Sequence, residues 1–121
     1  MNSNNFTEAN MDYLQDLSGG NSDLIREIVA LFIKQTPGDM ELLGTYIREQ
    51  NWTQAYKQAH HIKPTLAYVG ANTMRAELQE IEDRAKNQRE LDTIAGKFNN
   101  LLPRFEVLYQ ELRSYLDTMD S

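Results

Sequence analysis

Apolar residues recur at steps of three and four along nearly the whole of this 121-residue chain, and no segment alternates with a period of two. Steps of three and four place side chains on one face of an α-helix, whereas a half-buried strand needs strict alternation. No run of β-branched residues, which strands prefer, interrupts the pattern. The sequence therefore predicts an all-α fold.

Three helices are predicted in the first half of the chain. A short one covers residues 11–17 and ends at a Ser-Gly-Gly turn. The second, capped at residues 21–22, is predicted to end before Pro37, because the residue before a proline avoids the helical conformation. The third runs on to about Gln50 and is weakened by Gly44. Their apolar residues are Met11, Leu14 and Leu17, then Leu24, Ile25, Ile28, Val29, Leu31 and Phe32, then Met40, Leu43 and Ile47.

Three further helices, each with a stripe of apolar residues along one face, are predicted in the second half. Asn51 can cap a helix that ends at Gly70, a residue type favoured just past a helix C-terminus. Asn72 can start the next helix, and a long last helix is interrupted by Gly96 and can kink at Pro103. The stripes are Trp52, Ala55, Ala59, Ile62, Leu66 and Val69, then Met74, Leu78, Ile81 and Ala85, then Leu91, Ile94, Phe98, Leu101, Phe105, Leu108, Leu112 and Leu116.

Short connections between about four substantial helices predict an antiparallel up-and-down four-helix bundle with an additional short N-terminal helix. We expect a single domain over residues 1–121, with an ordered core at about 8–118. The last stripe would also suit a coiled-coil dimer. We favour the monomeric bundle, because the other helices also have apolar faces that need cover.

Charge and composition exclude several classes of function. The net charge of −6 disfavours nucleic acid and anionic lipid as partners. No apolar run is long enough to enter a membrane as a spanning helix, and the first residues do not resemble a signal peptide. The absence of cysteine removes disulfides and thiolate chemistry. A cytoplasmic location is expected.

The stretch AHHIKPTLAYVG, residues 59–70, places two histidines and a proline inside a predicted helix. On a helical wheel Ala59 lies at the centre of the core stripe, so His60 and His61 should both reach solvent. The helix neighbours of His60 are Lys63, Pro64 and Ala67 at i+3, i+4 and i+7. Two of these neighbours are small, so the His60 ring is predicted to be open to a large partner.

Pro64 is costly in this position, because a proline inside a helix loses a hydrogen bond and crowds the carbonyl four residues back, at about 3 kcal/mol. A compact side chain at i+4 would keep the His60 ring accessible, which gives a reason to accept the cost. The alternative is a tolerated kink.

A neutral imidazole is a competent nucleophile towards phosphorus, and phosphoryl transfer mainly requires positioning and charge stabilisation. An exposed His60 beside the Lys63 ammonium fits that chemistry, although an ordinary surface histidine fits the sequence too. Adjacent histidines point apart on a helix and no third ligand is evident, so no metal site is expected. Neither a P-loop nor a G-x-S-x-G elbow is present, so ATP binding and serine hydrolysis are not supported.

The same stretch resembles the signature of histidine-containing phosphotransfer (Hpt) domains, A-H-x-[IL]-K-[G or small]-x-x-x-x-[ILV]-G. The upstream LSGGNSDLIREIVALFIKQTPGDMELL is similar to that family's approach to the motif, and the resemblance spans about residues 11–114. It implies that His60 is the phosphoacceptor, that Lys63 assists the phosphoryl group and that Gly70 closes the helix. Glu82 falls where the family often has a Glu or Gln that orients the imidazole, although a solvated helix residue is the alternative.

The resemblance also implies a function in a two-component phosphorelay. His60 would accept a phosphoryl group from the aspartyl phosphate of one response-regulator receiver domain and pass it to an aspartate of another. A hybrid sensor histidine kinase would stand upstream, Mg²⁺ would belong to the receiver, and this chain would need no cofactor. Pro64 stands where glycine is more common in the family, which leaves the docking geometry open.

Pro64, Ala67 and Gly70 are candidates for partner access. The N-terminal helix, through Leu14 and Leu17, is predicted either to offer an apolar docking surface or to cover the end of the bundle. One alternative function is a helical adaptor that binds a receiver or kinase through the same surface without transferring phosphate. A histidine-kinase dimerisation hairpin is a weaker alternative, because this chain supplies four helices itself and lacks an ATP-binding domain, so it should have no ATP-dependent kinase activity.

Overall fold

The computed structural model describes residues 6–120, and the part of the chain that it describes is helical with no strand. Helix α1 spans Asp12–Ser18, α2 Ser22–Arg48, α3 Trp52–Tyr68, α4 Asn72–Asn87 and α5 Ile94–Asp120, with a 3₁₀ turn at Leu91–Thr93. The predicted all-α class is confirmed. The predicted domain also includes residues 1–5 and 121, which lie outside the described residues.

Helices α2 to α5 form the bundle, and each packs against the next, with α5 closing the ring against α2. Short connections at 49–51, 69–71 and 88–93 make consecutive helices antiparallel. Helix α1 packs against α2. The closest pair in the bundle is α3 and α4, and the motif residues lie on α3.

The predicted stripes form one core. The α5 stripe is buried within this single chain, so it serves the bundle rather than a coiled-coil seam. Its buried members are Ile94, Phe98, Leu101, Phe105, Leu108 and Leu112. The predicted caps are also present, because the side chains of Asn21 and Asn51 accept hydrogen bonds from the backbone N–H groups of Leu24 and Gln54.

The predicted helix boundary at Pro37 is wrong, because α2 continues through that residue as one helix from Ser22 to Arg48. Its buried positions run through the proline without a change of phase: Ile25, Val29, Phe32, Thr36, Met40, Leu43 and Ile47. A helix-interior proline costs about 3 kcal/mol, whereas burying each large apolar side chain contributes about 1.5–3 kcal/mol. Several such side chains on both sides of Pro37 outweigh the single lost hydrogen bond.

Two apolar residues assigned to the second stripe do not join the core. Leu24 and Leu31 are 40% and 50% exposed, on the outer side of α2. Leu31 instead lines a surface cavity between α1, α2 and α3. The apolar stripe of α2 is therefore wider than the face that packs on the core, and apolar side chains on the outer side of α2 remain exposed.

Candidate functional site

Helix α3 carries the motif and turns its two histidines outward. Ala59, Ile62 and Leu66 are buried against the bundle. The side chains of His60 and His61 are 69% and 65% exposed, as the helical wheel predicts. The helix continues through Pro64 to Tyr68, so the proline does not end it.

Glu82 reaches His60 from α4. Its Oε2 atom lies 3.2 Å from His60 Nδ1, and the residue is only 9% exposed. An ionised carboxylate can accept a hydrogen bond but not donate one, so the Nδ1 atom carries the proton of the neutral ring. The other nitrogen, Nε2, keeps its lone pair on a ring that is largely open to solvent.

Lys63 shares the same carboxylate. Its Nζ atom lies 2.7 Å from Glu82 Oε1, and its side chain is 12% exposed. Lys63 also donates to the side-chain oxygen of Gln79, and the Gln79 amide donates to Asp83. Two opposite charges can be held with little solvent only when they are paired, and this pair satisfies that condition. Glu82 is therefore not the solvated helix residue that the sequence allowed.

An open cavity of about 330 Å³ gives access to His60. Pro64 and Ala67 line it and are both small, as the sequence predicts. The remaining lining comes from Lys63 and from three residues that the sequence did not single out: Tyr13, Tyr68 and Arg75. The Tyr13 and Tyr68 rings lie 6.3 Å apart, which brings α1 to the edge of the cavity.

Comparison with known proteins agrees with this arrangement. The model of the Hpt domain family matches residues 27–121, which include the α3 motif and α4. The chain belongs to the Hpt domain family. Hpt domains act in histidine phosphotransfer within phosphorelays and interact with response-regulator receiver domains. The resemblance seen in the sequence is confirmed, and α1 lies outside the matched region.

Searches among curated proteins and among solved structures found no significant match. The roles of individual residues in this Hpt domain are therefore argued from its own geometry.

The end of α3 in this Hpt domain holds the N-terminal segment. Gly70 has a φ of +70°, and a Cβ atom there would collide with the backbone carbonyl of Asn10. The Asn10 N–H donates to the Val69 carbonyl at 2.9 Å. Gly70 thus closes the helix, as predicted, and also leaves room for the backbone segment that leads into α1.

Helix α1 both covers the bundle and faces solvent. Leu14 is 0% exposed, so its side chain cannot form the docking contact predicted for it. It covers the end of the core together with Met11, which is the structural alternative that the sequence left open. Leu17 is 54% exposed and remains available to a partner.

A carboxylate on α5 fixes the segment before α1. Glu111 accepts hydrogen bonds from the backbone N–H groups of Thr7, Glu8 and Ala9 at 2.7–3.0 Å, and from the Thr7 hydroxyl. Partial burial alone would raise the pKa of the Glu111 carboxyl, but these donors together hold that pKa below its usual value of 4.5. No local pattern in the sequence signalled this contact, which joins residues about a hundred positions apart.

A second cavity, of about 400 Å³, lies beside the first on the α1, α2 and α3 side of the Hpt domain. Tyr68 lines both cavities, so the two surfaces are continuous. Leu17, Ile28 and Leu31 supply apolar lining. His61 stands at its edge, with Nε2 3.7 Å from Asp39 Oδ2, and we assign it no chemistry.

Within residues 6–120, no group of three or more His, Cys, Asp or Glu side chains is arranged to hold a metal ion. None of the helices in this described part is long and apolar enough to cross a membrane.

Proposed function

We propose that His60 is the phosphoacceptor of this Hpt domain, taking a phosphoryl group from the aspartyl phosphate of one receiver domain and passing it to an aspartate of another. The observation that carries the proposal is the 3.2 Å contact between His60 Nδ1 and the buried Glu82 carboxylate. This contact leaves Nε2 as the nucleophile on an exposed ring. His61 has no comparable buried partner, because its Asp39 contact is longer and lies at the surface.

The proposed phosphoryl transfer to His60 needs no external base. The lone pair of His60 Nε2 attacks phosphorus in line with the acyl oxygen of the aspartyl phosphate. The N–P bond forms as the P–O bond to the acyl oxygen breaks, and the electron pair of that bond stays on the released aspartate. Nδ1 keeps its proton, so the phosphorylated ring carries a positive charge beside Glu82. Attack by the second aspartate on phosphorus returns the neutral imidazole.

Glu82 and Lys63 act together in this proposal. The Glu82 carboxylate stabilises the positive charge that develops on the imidazole, as in other sites where a third group orients a catalytic histidine. The Lys63 ammonium, 2.7 Å from the other carboxylate oxygen, reduces the negative charge that the incoming phosphoryl group would meet. Both effects are electrostatic and need no movement of the backbone.

The partner would dock on the apolar face beside His60. We define this docking face by Tyr13, Leu17, Leu31 and Tyr68, which are all at least 40% exposed. Exposed apolar residues that adjoin a reactive group are typical of a protein interaction site. The partners proposed are receiver domains, with a hybrid sensor kinase upstream, and Mg²⁺ would be bound by the receiver rather than by this chain. A monomer acting in the cytoplasm, without a cofactor of its own, fits this role.

The test is transfer from a receiver domain that has been phosphorylated beforehand with a labelled phosphoryl group. Wild-type protein should gain an acid-labile, base-stable label, which is the stability of a phosphohistidine, and His60→Gln should gain none. His61→Gln is the matched control, because it changes the neighbouring exposed histidine, and it should be labelled like wild type. Equal labelling of His60→Gln and wild type would overturn the assignment. Receiver binding without any exchange would instead indicate the adaptor function.

A further inference from the structure

Arg75 lies near the start of α4 and faces the same side as Gln79 and Glu82, at i, i+4 and i+7. Its exposed side chain lines the 330 Å³ cavity together with His60. It also lines an adjoining cavity of about 420 Å³, with Asn10 and Gly70. Arg75 is therefore the second cationic side chain that lines the His60 cavity, which Tyr13 at the start of α1 also lines.

The charges of the site leave Arg75 available. Lys63 is already engaged by Glu82 and Gln79, so this ion pair is close to neutral as a unit. Within residues 6–120, the Arg75 guanidinium has no ion pair and no side-chain hydrogen bond, and the Arg75 backbone N–H donates to the Ala71 carbonyl at the start of α4. An arginine without a partner beside a reactive group is suited to bind an anion that arrives during the reaction.

A phosphoryl group brings a charge of about −1.5 to −2 at neutral pH and three acceptor oxygens. Lys63 cannot balance this charge alone, because its ammonium is shared with Glu82. The guanidinium of an arginine can donate two parallel hydrogen bonds to two phosphoryl oxygens, and such charge-assisted pairs are stronger than neutral ones. The 330 Å³ cavity has no acidic side chain among its lining residues. Asp12 lines the adjoining cavity together with Arg75, but the two side chains form no ion pair.

We infer that Arg75 binds the phosphoryl group once it is on His60, and thereby shifts the transfer equilibrium towards the phosphorylated Hpt domain. Arg75 forms and breaks no covalent bond in this role, and it acts on the phosphorylated state rather than on the free imidazole. The inference rests on the proposed function, because it requires phospho-His60. It assigns to Arg75 a binding role that is separate from the orientation of the ring by Glu82.

The experiment uses the full chain, phosphorylated on histidine with phosphoramidate, a small donor that needs no protein partner. In ³¹P NMR, the phosphoryl group of wild type should titrate at a lower pH than that of Arg75→Ala, because a bound cation favours the more highly charged form. When an unphosphorylated receiver is then added, Arg75→Ala should leave about threefold to tenfold less phosphoryl group on His60 at equilibrium. Arg75→Lys should lie between the two, because lysine keeps the positive charge but cannot donate two parallel hydrogen bonds from a planar guanidinium.

Arg89→Ala is the matched control, because it removes an exposed arginine from the loop after α4 and gives the same net charge. It should titrate and equilibrate like wild type. If Arg75→Ala is phosphorylated on His60 and matches wild type in both measurements, the role of Arg75 is overturned while the proposed function stands. If wild type gains no phosphoryl group on His60 from either phosphoramidate or a phosphorylated receiver, the proposed function itself fails.

Discussion

At the residue scale, Glu82 contacts both the candidate phosphoacceptor and a cation that has little access to solvent. Its two oxygens lie 3.2 Å from His60 Nδ1 and 2.7 Å from Lys63 Nζ. Removing one member of such a pair leaves the other charge without a partner, which costs more than the pair gains. Glu82 is therefore expected to matter for stability as well as for phosphotransfer.

We predict that Glu82→Ala lowers the free energy of unfolding by about 3 kcal/mol, because it leaves the Lys63 ammonium without its carboxylate partner. The same substitution should slow phosphorylation of His60. Glu82→Gln should cost less, since its amide oxygen can still accept from Nδ1–H. Urea unfolding and the rate of labelling by a phosphorylated receiver measure the two effects. Stability and labelling of Glu82→Ala equal to those of wild type would show that the contact has no function.

Residues of the site differ in how far the sequence could predict them. The exposure of His60 follows from the helical wheel, because the core stripe of α3 is regular. Glu82 lies 22 positions after His60 in the sequence, on the next helix, and only the family resemblance suggested the contact between them. Gln79 and Arg75 were missed, although their spacing from Glu82 on α4 would have indicated them once the face of α4 that meets α3 was known.

At the element scale, Pro37 shows why a local rule mispredicts part of this chain. Pro37, Pro64 and Pro103 all lie within continuous helices. The local cost of a proline is the same at each position, but the sum of apolar contacts along a long stripe decides whether the helix continues. The sequence predicted a break at Pro37 because the residue before a proline disfavours the helical conformation, and only packing shows that the residues on both sides share one core face.

A second feature at this scale is the anchoring of the N-terminal segment to α5 through Glu111. Because the pKa of Glu111 is lowered in the folded state, the contact stabilises the fold above the usual pKa of 4.5. This contribution is lost as the pH falls through the lowered folded pKa, where the carboxylate is protonated. The segment leads directly into α1, so the placement of Tyr13 beside His60 depends on it.

We predict that Glu111→Gln lowers the free energy of unfolding by about 1–2 kcal/mol at pH 7, through weaker hydrogen bonds to residues 7–9. The difference from wild type should shrink at a pH well below 4, because wild type then loses the same carboxylate. Glu106→Gln removes an exposed carboxylate from the same helix and serves as the control. Urea unfolding at the two pH values measures the effect, and a difference that does not change with pH would contradict it.

At the scale of the whole molecule, the bundle explains how one helix can present a reactive ring without exposing its core. Connections of a few residues force neighbouring helices to be antiparallel, so the bundle could be predicted from the apolar stripes and short loops, although the sequence divided α2 into two helices at Pro37. The contact between the N-terminal segment and Gly70 could not, because it depends on a φ of +70° and on chain far away in sequence. The docking face arises from this contact, since it brings Tyr13 of α1 next to Tyr68 of α3.

The central claim is that His60 Nε2 receives the phosphoryl group while Nδ1 stays hydrogen-bonded to Glu82. The most direct measurement is an NMR spectrum of the chain with ¹⁵N-labelled histidine after transfer from a phosphorylated receiver domain. We predict phosphorus coupling on Nε2 of His60, a protonated Nδ1 on the same ring, and an unchanged His61. Phosphorus coupling on His60 Nδ1, on His61, or on neither histidine would contradict the account.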